Sequence, residues 1–130
     1  MSVKHIFIAS VFLFTLFSFT KIKENMNSEK VSVLLRFKAQ KGKKQDLVNH
    51  LTATAKLLAT NEEGTEIFTI STTPIDEEAV YVYEVYSSAA AKALHETGDA
   101  YNKARAMTNE FVDGPPQVVP LFVQGGKGLK

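Results

Sequence analysis

An acid and an imidazole stand at the two ends of one apolar unit in this chain. Glu84 sits in the dense β-type run Val80-Tyr81-Val82-Tyr83-Glu84-Val85-Tyr86, and His95 closes the alanine-rich segment that follows Ser87-Ser88. A histidine titrates near neutrality, and burial tends to keep it uncharged and able to accept a proton, so proton transfer is the chemistry these residue types suggest. Structural explanations stand beside that one. A histidine near a helix end also serves as a hydrogen-bonded structural residue or as a cation at the helix C-terminus. Glu84 fits equally as a rim or interface residue, and because it shares a strand face with Val80 and Val82, burial of that face would require a partner such as Arg105 or Lys103. Tyr81, Tyr83 and Tyr86 are ordinary β-formers that core or dimer packing accounts for. His50 reads as a boundary residue of a helix, and Lys41, Lys43 and Lys44 as its solvated entrance.

The elements that must position Glu84 and His95 follow from hydrophobic periodicity. Val31 to Ala39 alternates, with Val33, Leu35 and Phe37 on one side, and predicts a strand. Leu47, Val48, Leu51, Ala55 and Leu58 recur at helical spacing and predict an amphipathic helix from Lys43 to about Thr60. Asn61 to Gly64 ends it. Glu66 to Thr72 is rich in β-branched residues around Phe68 and predicts a second strand. The polar connection Thr73 to Glu78 leads into the third strand, Val80 to Tyr86, so these two strands should form an antiparallel hairpin. Ser88 is placed to cap a helix from Ala89 to His95. Thr97-Gly98-Asp99 interrupts that helix before Ala100, Ala104, Met107 and Phe111 resume a helical face. After Asp113-Gly114-Pro115-Pro116, the segment Gln117 to Val123 predicts a last strand, at a sheet edge or bulged, because Pro120 cannot donate to a ladder.

The resulting order, β-α-β-β-α-β, is the ferredoxin-like α+β arrangement, with helices on one face of an antiparallel sheet. The third strand is apolar or aromatic on both faces, whereas an open sheet face should be polar. A second copy of the chain, packed sheet to sheet, is the simplest cover and predicts a homodimer.

Composition narrows the function classes. The 130 residues carry fifteen basic and fourteen acidic side chains, a formal charge of +1, so no field recommends nucleic acid or an anionic membrane as partner. Cysteine is absent, which excludes disulfides, thiolate metal sites and a cysteine nucleophile. His5, His50 and His95 are too scattered to suggest a metal cluster, and no metal is expected. Residues 1–25 follow the plan of a signal peptide or N-terminal anchor: Lys4 precedes an apolar run from Ile6 to Phe19, and a polar stretch follows. That run is shorter than the roughly twenty residues a spanning helix needs, which favours export to the periplasm or outside the cell over stable anchoring. The protein is cytoplasmic if Met26 is the true start, and it meets the membrane only if the leader is retained. Residues 26–130 form the domain.

From Val31 to Gly128 the chain resembles the antibiotic biosynthesis monooxygenase domain family, which includes quinol monooxygenases and forms dimeric α/β-barrels. The resemblance rests on the element order, on the junction Glu84-Val85-Tyr86-Ser87-Ser88 leading to Leu94-His95, and on Pro120-Leu121-Phe122-Val123 before Gly126-Lys127-Gly128. Many relatives read acid-x-Trp-x-Ser at the junction, with a histidine nine residues after the tryptophan. Glu84 and His95 match, and Tyr86 replaces the tryptophan. The resemblance implies cofactor-independent oxygenation of a quinol or phenol by dioxygen, with His95 as base. It assigns Glu84 to orienting the imidazole or the substrate hydroxyl, and Tyr86, Tyr83 and Phe68 to the wall of the substrate pocket. A heme-degrading branch shares the fold but uses an asparagine on the first strand and a tryptophan, neither of which is present here. The competing functional reading is a non-catalytic dimeric domain that binds a small apolar or aromatic ligand.

Overall fold

Alternation and helical periodicity resolve into the expected elements in a computed structural model that describes residues 29–129. The expectation of a leader over residues 1–25 lies outside the described residues. β1 spans Val31–Lys38, α1 Lys44–Asn61, β2 Thr65–Thr73, β3 Asp76–Tyr86, α2 Ala89–Thr97, α3 Asp99–Thr108 and β4 Gln117–Phe122. The strands form one antiparallel sheet in the order β2-β3-β1-β4. This is the ferredoxin-like topology, with β4 at the edge where Pro120 is tolerated. Among the described residues no helix is long and apolar enough to cross a membrane.

Register decides which side chains share a face. Val33 pairs with Glu84, Leu35 with Val82 and Phe37 with Val80, while Phe68 and Ile70 of β2 lie across from Glu84 and Val82. These residues face the helices, because Phe37, Val80 and Val82 form the core with Leu47 and Leu51 of α1 and with Val112. Full burial of a side chain such as Leu47 is worth about 1.5–3 kcal/mol. Toward the Glu84 end of β3 this close packing gives way to a cavity. The opposite face carries Leu34 paired with Tyr83 and Arg36 paired with Tyr81, all half-buried, and reaches β4 at Val119 and Leu121, both exposed. Leu34, Tyr83, Val119 and Leu121 give that face an apolar patch, while Arg36, Thr69 and Gln117 make its remainder polar.

β3 begins earlier than the sequence pattern predicts. The acidic run Asp76-Glu77-Glu78 belongs to the strand instead of the connection, leaving Pro74 and Ile75 as the hairpin tip. The Asp76 carboxylate makes this tolerable, since it accepts from the backbone N–H groups of Glu78 and Ala79 and pairs with Arg36 at 2.5 Å across the sheet. Ser88 caps α2, its Oγ accepting from the Ala91 N–H at 3.1 Å, an interaction worth about 1 kcal/mol. The expected break falls at Gly98, whose extended backbone separates α2 from α3.

Candidate active site

His95 lies in the last turn of α2 and is 3% exposed. Its Nδ1 stands 2.6 Å from Oε2 of Glu62, the residue that follows α1. The same carboxylate oxygen accepts from the Thr65 hydroxyl at 2.9 Å, so Glu62 is fixed from the start of β2 as well. With Nδ1–H donating to the carboxylate, the neutral ring carries its lone pair on Nε2, which has no partner among the described residues.

The loop that carries Glu62 reaches α2 because Gly64 has no side chain. A Cβ built on Gly64 would lie 2.7 Å from the Ala91 Cβ, and the Gly64 carbonyl accepts from the Ser87 N–H at 3.0 Å. Contact between Gly64 and Ala91 therefore sets the distance between the loop and the helix on which His95 sits. Aromatic rings flank the imidazole on two sides, Tyr86 at 5.4 Å and Tyr101 at 4.9 Å in an edge-on arrangement.

Glu84 is 6% exposed, and its Oε2 accepts a 2.7 Å hydrogen bond from the Tyr86 hydroxyl. Burial pushes the Glu84 carboxyl above its ordinary range, opposed by the Tyr86 hydrogen bond and by the His95 charge. Burial, together with the Glu84 charge, pushes the Tyr86 phenol up, so it remains a neutral donor at physiological pH.

These groups converge on one cavity of about 440 Å³ between sheet and helices. Glu84, Tyr86, His95 and Phe68 all line it, joined by Tyr101 and by Leu51 of α1. A largely apolar cavity lined by a buried imidazole and a buried carboxyl is suited to holding an aromatic hydroxyl compound and taking a proton from it. Among the described residues no three of His, Cys, Asp and Glu cluster as metal ligands. The aromatic walls suit a planar organic ligand.

Three assignments are corrected by these positions. Tyr83 pairs with Leu34 and Thr69 on the sheet face away from the helices, so it does not line this cavity. Strand alternation requires that placement once Glu84 faces inward. The buried partner of Glu84 is Tyr86, in place of Arg105 or Lys103, and the carboxylate that orients His95 is Glu62. Glu62 and Tyr101 have no local signature. Glu62 reads as part of a helix stop, and its bond to His95 spans 33 positions.

Residues 30–107 match a family model described as antibiotic biosynthesis monooxygenase. No curated protein gives a significant match. Among solved structures, the chain is similar to a candidate antibiotic biosynthesis monooxygenase of Caulobacter crescentus, with a TM-score of 0.71 and 22% identity over 79% of this chain and 98% of that one. A candidate of the same kind from Chloroflexus aurantiacus has a TM-score of 0.67 and 17% identity over 78% and 99% of the two chains. A protein of unknown function from Nitrosomonas europaea has a TM-score of 0.67 and 19% identity over 80% and 98%. At these identities the solved structures speak for the fold.

Proposed function

The chain belongs to the antibiotic biosynthesis monooxygenase family, and from that premise we propose that it oxygenates a quinol or phenolic small molecule with dioxygen, using His95 as base. The observation that carries this reading is the buried His95 ring, held through Nδ1 by Glu62 and facing a cavity of about 440 Å³ with aromatic walls. Small-molecule sites of about 300–1,000 Å³ are usual, so a bicyclic quinol fits.

In the proposed reaction a substrate hydroxyl meets Nε2 of His95 and gives up its proton, and Glu62 stabilises the imidazolium that forms. The resulting quinolate is electron-rich enough to reduce dioxygen itself. One oxygen atom replaces a ring hydrogen and the other leaves as water. The four electrons come from oxidation of quinol to quinone and of the ring C–H bond. The Glu84–Tyr86 pair offers a polar contact for a second substrate oxygen, and Phe68 and Tyr101 supply the walls that exclude water.

The apolar sheet face around Leu34, Tyr83 and Leu121 supports a homodimer closed through that face. Export with removal of a leader over residues 1–25 remains part of the proposal, and its test is mass spectrometry of the mature N-terminus. Turnover of a naphthoquinol under isotopically labelled dioxygen tests the reaction: the hydroxyquinone product should carry the label. Unlabelled product, or quinone with no added oxygen, would exclude monooxygenation.

A further inference from the structure

We propose that Arg105 forms a subsite at the cavity rim for a carboxylate, so that the preferred ligand is an acidic aromatic hydroxy compound. The inference rests on the proposed function only for the aromatic body of the ligand.

Besides the imidazole, the charged side chains lining the cavity are Glu84, Lys92, Glu96 and Arg105. Lys92 and Glu96 neutralise one another through a 2.5 Å ion pair one helical turn apart on α2. Glu84 is buried and already bonded to the Tyr86 hydroxyl. Among the charged side chains of the lining, Arg105 alone has no ion pair or side-chain hydrogen bond to another described residue. It lies four residues after Tyr101 on α3, one turn along the same helix face, and it is exposed where His95 is buried.

The cavity lining therefore combines a buried acid and imidazole, apolar walls, and an exposed cation. A guanidinium stays charged at every physiological pH, and its planar fork matches a carboxylate through two parallel hydrogen bonds. A flat ligand with a hydroxyl at one end and a carboxylate at the other satisfies all three features. A neutral quinol would leave Arg105 to water and gain nothing from it.

Equilibrium titration of naphthol and of hydroxynaphthoate, followed by ligand fluorescence at neutral pH, tests the subsite without turnover. The wild-type protein should bind the carboxylate about tenfold more tightly than the neutral compound, a preference that shrinks with added salt. Arg105→Gln should bring the ratio of the two affinities close to one. Lys103→Gln, an exposed lysine of the same helix outside the cavity lining, should leave the ratio unchanged. Equal binding of the two probes by wild type, survival of the preference in Arg105→Gln, or no binding of either probe would overturn the proposal. Selective binding without oxygen consumption would count against the oxygenase reading alone. Oxygenation of neutral quinols without selective binding would count against the Arg105 subsite alone.

Discussion

His95 Nδ1 and Glu62 Oε2 lie 2.6 Å apart, joining the last turn of one helix to the residue that ends another. The bond fixes both the ring's orientation and its tautomer, and it presents Nε2 as the nitrogen free to take a proton. Replacing Glu62 by glutamine preserves the shape and removes the charge that stabilises the imidazolium. Turnover of a quinol by Glu62→Gln should fall about tenfold to a hundredfold, with ligand affinity little changed. A wild-type rate in steady-state oxygen uptake would show that the pair is structural.

Gly64 tests how that bond is positioned. With its would-be Cβ 2.7 Å from the Ala91 Cβ, Gly64→Ala forces the loop and α2 apart. The expected cost is about 1–3 kcal/mol in chemical denaturation, together with slower turnover. Adding Ala91→Gly restores the space and should recover both. A single variant as stable and active as wild type would mean that the contact does not set the Glu62–His95 distance.

Glu84 makes stability depend on pH in a stated direction. Its carboxyl is raised in the folded protein, so the folded state binds the proton more tightly than the unfolded chain. The stabilising contribution is fully present below the ordinary value of 4.5 and is lost as pH rises through the folded value. Glu84→Gln abolishes that titration. Its stability relative to wild type should therefore improve steadily as pH is raised from mildly acidic to neutral, as read by thermal unfolding. Parallel pH profiles for the two proteins would contradict the burial argument.

The sheet face opposite the helices predicts association. Light scattering at micromolar concentration should return a dimer. Leu121→Asp, which puts a charge on an exposed apolar position of that face, should shift the protein to monomer without unfolding it. A wild-type monomer would remove the dimer from the account.

The fold was readable because its residues obey two simple periods. Val33, Leu35 and Phe37 alternate in β1, Leu47, Leu51 and Leu58 repeat at helical spacing in α1, and Ser88 and Gly98 punctuate the second helical segment. Asp76 to Glu78 read as loop because what holds them in β3 is a cross-sheet partner, Arg36, that local composition does not reveal. In the site, Glu84, Tyr86, His95 and Phe68 were identifiable from one junction and a hairpin partner, and they line one cavity. Tyr83 shares their aromatic character, but strand alternation puts it on the other face. Glu62 was missed because the contact that gives it meaning depends on Gly64 lying against Ala91, a packing relation between segments far apart in the chain.

Oxygen uptake by His95 variants tests the central claim most directly. With a naphthoquinol as substrate, the wild-type protein should consume oxygen faster than buffer. His95→Ala and His95→Gln, if folded and still binding the ligand, should lose about a hundredfold to ten-thousandfold of that rate. Ligand binding by the wild type with no oxygen uptake above buffer across a panel of quinols, or variants as fast as wild type, would contradict the account and leave a binding domain in place of an oxygenase.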